Sequence, residues 1–207
     1  MKVLLVNGSP HEKGCTYTAL TEIAKELNAN GVETEIFHIG TNPVRGCIGC
    51  KGCAKLGKCV FDDDVVNTLH EKAKTADGYI FGSPVHYAAI SGAMSCVMDR
   101  LFMSGGADMR YKPAAGICSA RRGGTTAAYD QLNKYIGINR MINVPSQYWN
   151  MVHGAAAEDV PKDEEGMQIM RTLGKNMAWL LKVLESAKEN GIELPQAEPQ
   201  IRTNYVK

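Results

Sequence analysis

Apolar and polar residues fall along this chain in blocks, and the rhythm inside each block predicts an element. Val3-Leu4-Leu5-Val6 is a short unbroken apolar run, the pattern of a strand covered on both faces. Leu20, Ile23, Ala24 and Leu27 recur at helical spacing, which predicts a helix over about 17–28, stopped by Asn30-Gly31. Residues 33–39 alternate and include Ile36 and Phe37, so a second strand is expected there. Asp64 reads as the N-cap of a helix carrying Val65, Val66, Leu69 and Ala73. Residues 78–82 form a third apolar strand, and a helix over about 91–101 turns Met94, Val97 and Met98 inward. Residues 114–118 are a fourth strand, followed by a helix to about 136, and 141–144 a fifth strand. A long helix over about 163–190 places Met167, Met170, Leu173, Met177, Leu180, Leu181 and Leu184 on one face, and Gly191 closes it. The weakly patterned segment 194–207 is expected to be an extended arm on the surface.

Strand and helix thus alternate five times. Such a chain builds an α/β fold: a parallel sheet, right-handed crossovers and helices on both faces. The expected architecture is a flavodoxin-like three-layer sandwich with a five-stranded sheet in the order 2-1-3-4-5. One domain is expected over 1–193, with a cysteine-rich insertion at 44–60 and the arm at 194–207. Ligands in such folds sit outside the carboxyl ends of the strands. The segments after the first, third and fourth strands therefore attract notice.

The first of these, Asn7-Gly8-Ser9-Pro10-His11-Glu12-Lys13-Gly14-Cys15-Thr16-Tyr17-Thr18, joins a buried strand to an amphipathic helix. Free N–H groups and the positive end of the helix dipole suit a phosphate there. Five residues separate Gly8 from Gly14 and Cys15 stands where a P-loop needs its lysine, so this is not a Walker loop. The dinucleotide fingerprint Gly-x-Gly-x-x-Gly is also missing after the first strand. A hydroxyl-rich loop without a fixed lysine suits a monophosphate such as that of FMN. Ser9, His11, Cys15, Thr16, Tyr17 and Thr18 are its candidate binding residues. The helix N-terminus is expected to lower the pKa of the Cys15 thiol.

This loop resembles the first loop of the NADPH-dependent FMN reductase family. The resemblance extends to Ser83-Pro84-Val85-His86-Tyr87, where the family has Ser/Thr-Pro-Val-Tyr; here the aromatic is displaced by one. It implies a loop in which Pro84, Val85, His86 and Tyr87 flank an isoalloxazine ring. After the fourth strand, Ser119-Ala120-Arg121-Arg122-Gly123-Gly124 combines glycines that let amides approach a ring edge with two cations that could sit near flavin N1 or bind a nicotinamide phosphate.

Cys47-x2-Cys50-x2-Cys53-x5-Cys59 is the most chemically specific pattern in the chain. Four closely spaced thiolates suit a [4Fe–4S] cluster or a structural zinc; a cluster-free thiol or disulfide loop is the third reading. The compact motif also resembles that of the iron–sulfur flavoproteins. That resemblance implies a cluster close to FMN that takes electrons from it, in a homodimer or homotetramer. Seven cysteines, an odd number, fit a reducing compartment better than a disulfide framework, and the expected location is the cytoplasm.

A net charge of +1 gives no electrostatic case for nucleic acid or an anionic membrane. No apolar run is long enough to span a bilayer. Cys96 and Cys118 read as packing residues, and His38, His70 and Asp62-Asp63-Asp64 as surface or cap residues. Tyr148, Trp149 and His153 read either as the substrate side of a flavin or as a packing corner. The expected function is an FMN-dependent oxidoreductase that takes hydride from NAD(P)H and passes electrons to a small molecule or a redox protein. No side chain is assigned an acid or base role, because hydride transfer needs none. The alternatives are an electron carrier reduced by a protein partner and a zinc- or thiol-based redox sensor.

Overall fold

The sheet is parallel at its centre, and the side chains of its first strand explain the layers on either side. In the computed structural model, which describes residues 1–203 and Tyr205, β1 (Lys2–Asn7) sends Leu4 and Val6 to one core and Val3 and Leu5 to the other. A strand alternates sides at every residue, so an unbroken apolar run requires cover on both faces. The first core packs beneath α3 (Val66–Thr75), α4 (Gly92–Met109) and α5 (Thr125–Ile138); the second beneath α1 (Cys15–Ala29) and α6 (Glu164–Glu189).

β1 lies between β2 (Glu33–His38) and β3 (Gly78–His86), β3 also pairs with β5 (Pro113–Ala120), and β5 with β6 (Ile142–Asn143). The path β2-β1-β3-β5-β6 is the expected 2-1-3-4-5 order once β4 (Ala89–Ile90), an added hairpin strand, is set aside. Three boundaries differ from expectation. The segment 83–86, read as a loop, continues β3 and folds back antiparallel onto β4, pairing Val85 with Ile90 and His86 with Ala89. The fifth strand is split: β6 pairs with the start of β5, and β7 (Met151–His153) pairs with its end. Between them Pro145, with no N–H to give, lies in an excursion whose Asn150 accepts from Cys118 N–H and donates to Gly116 O. Finally, α4 runs past its expected end through Gly105 and Gly106. A Cβ at Gly105 would lie 2.4 Å from the His70 ring, so the glycine permits α3 to pack close rather than ending the helix.

The cysteine segment leaves the sheet after β2 and is irregular except for α2 (Cys53–Leu56), a single turn closed by Gly57 in the left-handed conformation. Residues 193–203 carry no regular structure and are exposed; of the expected arm, Asn204, Val206 and Lys207 lie outside the described residues. No helix among the described residues is long and apolar enough to cross a membrane.

Candidate functional site

The three strand ends singled out above lie side by side. Gly8 N–H donates to Gly82 O at 2.8 Å, and Ser91 Oγ donates to Gly8 O at 2.7 Å while its N–H donates to Ser83 Oγ at 2.9 Å. A Cβ at Gly8 would lie 2.7 Å from the Met94 sulfur, so only glycine lets β1 end against α4 this closely. Pro84 stands in register with Ser119, and Ala120 with His153. Gly124, at φ +93°, packs on the hairpin so tightly that a Cβ would lie 2.9 Å from Ala88 Cα and Val85 Cγ1.

The first mouth is shaped from within. Asn7, wholly buried, accepts from Ser9 N–H at 3.1 Å and donates to Glu12 O at 2.9 Å. Ser9 Oγ accepts from His11 N–H at 3.1 Å, and His38 Nε2 lies 2.8 Å from Ser9 O. No side chain caps α1 at Gly14, and the N–H groups of Thr16 and Tyr17 meet no acceptor among the described residues. A cradle of free amides and the Ser9 hydroxyl fits a phosphate monoester at the helix start. Tyr17 and Thr18 are half-buried, and Thr18 Oγ1 donates back to Gly14 O at 3.3 Å; His11 is exposed on the outer side of the loop.

Two expectations for this mouth change. Thr16 is 1% exposed and its hydroxyl faces that of Ser119 at 2.8 Å, so these side chains tie the first mouth to the third instead of projecting outward. The Cys15 thiol is raised, not lowered: burial dominates, and the bond from its own amide offsets it only in part. Its sulfur donates to Gly154 O at 3.6 Å.

The second mouth is the hairpin turn. Tyr87 and Ala88 both have positive φ, +51° and +60°, the signature of a two-residue type I′ turn in which glycine and asparagine are favoured. The strained turn holds the Tyr87 ring fully in solvent. Pro84 and Val85 are half-buried on the strand, and His86 is exposed. In the third mouth Ser119 and Ala120 are buried at the end of β5, while Arg121, Arg122 and Gly123 project outward. Neither guanidinium has an ion-pair partner among the described residues. Beside it, His153 N–H donates to Asp163 Oδ2 at 2.7 Å, and the half-exposed Tyr148 and Trp149 rings pack at 4.9 Å. An opening lined by Gly8, Pro10, Thr41, Asn42, His86 and Ser91 lies between the first mouth, the hairpin and the segment leading to the cysteines.

All four cysteines of the motif line one open, shallow hollow, together with Phe61, Met103 and the buried Arg100. Cys47 and Cys50 are exposed, Cys53 and Cys59 half-buried, and all seven cysteines are free thiols. Among the described residues, no three His, Cys, Asp or Glu are gathered tightly enough for one metal ion. The thiols ring a hollow whose lining includes no carboxylate or imidazole. That donor set fits an iron–sulfur cluster, whose cysteines attach at the separate corners of a cube.

Cys59 is anchored from the body of the fold. Asn67, buried on α3, accepts from Cys59 N–H at 3.0 Å and donates to Cys59 O at 3.0 Å and to Phe61 O at 3.1 Å. Arg100 on α4 donates from Nε to Cys59 Sγ at 3.2 Å and from a terminal nitrogen to Phe61 O at 3.0 Å, and pairs with Asp64. Asp64 and His70 were read as surface or cap residues; Asp64 does bond the helix start, but both side chains are buried. Asp64 is a buried ion-pair partner that also accepts from Val66 N–H at 3.0 Å, and His70 is fully buried against Asp108 at 2.9 Å. Asn7, Asn67 and Arg100 were not singled out from sequence. The available signal was a polar or charged residue inside an otherwise apolar block, as with Arg100 between Met98 and Leu101.

Residues 1–156 match the family described as NADPH-dependent FMN reductase. An iron-sulfur flavoprotein of Methanocaldococcus jannaschii is 33% identical over 193 residues, spanning 89% of this chain and 100% of that protein. An iron-sulfur flavoprotein of Archaeoglobus fulgidus is 28% identical over 204 residues, spanning 92% and 100%. The fold is shared with RosB, solved with a bound 8-demethyl-8-formylriboflavin-5'-phosphate, at TM-score 0.70 and 13% identity over 100% of this chain and 94% of that one.

Proposed function

Because this chain belongs to the NADPH-dependent FMN reductase family and is an oxidoreductase, we propose that it oxidises NAD(P)H through FMN and passes the electrons to a [4Fe–4S] cluster on Cys47, Cys50, Cys53 and Cys59. From there they leave to a small-molecule or protein acceptor. The observation that carries this reading is the juxtaposition of the uncapped start of α1, the Tyr87–Ala88 hairpin and the Gly123-Gly124 segment at one edge of the sheet. Bound there, FMN would supply hydride acceptance at N5 and onward electron transfer.

The chain's part is to bind and orient. The amides of Thr16 and Tyr17 and the Ser9 hydroxyl present donors to the phosphate, with the helix dipole behind them. Arg121 and Arg122 bring unpaired positive charge to the third mouth, where it would favour negative charge on a reduced ring or the phosphate of a nicotinamide nucleotide. The hairpin holds its own shape through the β3–β4 pairing, so a ring placed against it meets a fixed wall. In the hollow, Cys53 and Cys59 face α4, and Cys47 and Cys50 close the outer side.

An anaerobic absorbance spectrum with iron, acid-labile sulfide, zinc and FMN measured on one sample tests both groups. The expected result is one FMN and about four irons per chain by the chemistry of the donor set. Protein that stays colourless after incubation with FMN would refute the flavin reading. Zinc without iron would refute the cluster. Stopped-flow mixing with NADPH and NADH then separates a reductase, whose flavin bleaches, from a carrier, whose flavin does not.

A further inference from the structure

Arg100 lies on the inner wall of the cysteine hollow with its side chain 1% exposed. Its guanidinium spends its donors on four partners, three of them within residues 59–64 and the fourth at Arg45. Nε–H donates to Cys59 Sγ at 3.2 Å, one terminal nitrogen pairs with Asp64 and donates to Arg45 O at 3.3 Å, and the other donates to Phe61 O at 3.0 Å. The planar fork cannot tilt without breaking several of these bonds, so the Nε–H is aimed at sulfur. Asp64, 4% exposed, is held in turn by the Val66 amide, and the Cys59 backbone by Asn67.

A buried ion pair is seldom the most stable filling for such a space; apolar side chains of similar volume often do as well or better. An apolar side chain cannot donate to sulfur. Among the described residues, Cys59 is the one thiol of the four that receives an N–H from a buried cation; Cys53 meets Met103 O at 3.6 Å instead.

We propose that Arg100 is a positioning residue that raises the reduction potential of the cluster by donating its Nε–H to the Cys59 sulfur. The inference rests on the cluster reading above. An N–H donated to a ligating thiolate draws negative charge off it, and does so more strongly when the cluster has gained an electron from the reduced flavin. Asp64 balances the charge of the guanidinium, which leaves the directed N–H···S bond as the effective contribution.

The test uses the anaerobically reconstituted full chain, with potentiometry followed by EPR, on wild type, Arg100→Lys and the double variant Arg100→Met with Asp64→Asn. The double variant removes both charges together, so a buried unpaired carboxylate cannot mimic the effect. Both variants should keep wild-type iron and FMN contents. Their one-electron reduction equilibrium should shift at least tenfold toward the oxidised cluster, about 59 mV lower. Full iron with an unchanged potential in both variants would overturn the inference and leave the cluster reading standing. Wild type that takes up no iron and sulfide overturns both. If the variants shed iron, pulsed EPR on wild type carrying 15N-arginine decides. Coupling of the reduced cluster to an arginine nitrogen supports the bond, and its absence rejects it.

Discussion

The mouth at the strand ends and the cysteine hollow are joined by the same helix but built in opposite ways. α4 begins beside Gly8 and reaches the hollow at Arg100, about 12 Å further along its axis at 1.5 Å per residue. The mouth is made where parallel strands stop. Its backbone is fixed by sheet register, and its contacts between segments are glycine-close. The hollow is made of chain that belongs to no sheet. Two buried polar side chains, Asn67 and Arg100, hold one end of it, while Cys47 and Cys50 stand in solvent. Regular structure can place a ligand-binding backbone by itself. An irregular ligand loop has to be pinned by side chains from elsewhere.

Separate failure of the two regions is the direct consequence. Gly124→Val should have the largest effect. A branched side chain at φ +93° would collide with Ala88 and Val85, costing about 3 kcal/mol and weakening FMN binding more than tenfold, with iron uptake unchanged. Denaturant unfolding and flavin fluorescence titration check this. Loss of iron together with flavin would show that the regions are coupled and break the comparison.

Asn67→Ala is the converse. It strands the Cys59 amide and carbonyl, at about 2 kcal/mol, while Phe61 O keeps its bond from Arg100, and should speed iron loss to a chelator about tenfold while FMN affinity holds.

Thiol mapping by mass spectrometry sharpens the contrast in metal-free protein. Cys47 and Cys50 should be alkylated first. Cys15, whose thiol burial pushes up, should react appreciably only as pH rises above the ordinary thiol range. Cys118, pushed up to about 12 by burial, should stay unlabelled until the fold opens. The folded chain keeps that proton while the unfolded chain loses it from about pH 8.5. The stability this thiol contributes is therefore intact below about pH 8.5 and is lost as pH climbs toward about 12.

The smallest effect is a gain. Replacing Tyr87 with Asn and Ala88 with Gly suits the residues to the turn and should raise stability by about 1 kcal/mol. If the Tyr87 ring takes part in binding, the same change slows turnover of NAD(P)H, which steady-state kinetics would show.

Much of this was legible beforehand because it is local. Val3 to Val6, the spacing of Leu20, Ile23 and Leu27, and the methionine and leucine face of α6 announce their elements through periods of two and 3.6 residues. The loops that follow the strands then fall on one edge by the rule of parallel sheets. The hairpin at Tyr87–Ala88 was not legible: neither residue favours positive φ, and the pairing of Val85 with Ile90 overrides that preference. The continuation of α4 through Gly105 and Gly106 was hidden for a similar reason. A glycine pair reads as a break until the neighbour that needs the space, His70, is known.

The amino-acid sequence by itself determined the alternation of strand and helix, the two-sided core, the hydroxyl- and glycine-rich loop before α1 and the four-cysteine motif. Each of these depends on residues a few positions apart. Tertiary structure alone decided that Thr16 meets Ser119 across 103 positions, that Arg100 meets Cys59 across 41, and that Asp64 is buried opposite a cation rather than exposed. Periodicity tells which face of an element is covered. It carries no term for which polar group waits on the far side, and that partner fixes whether a buried charge or hydroxyl is satisfied and what it can do.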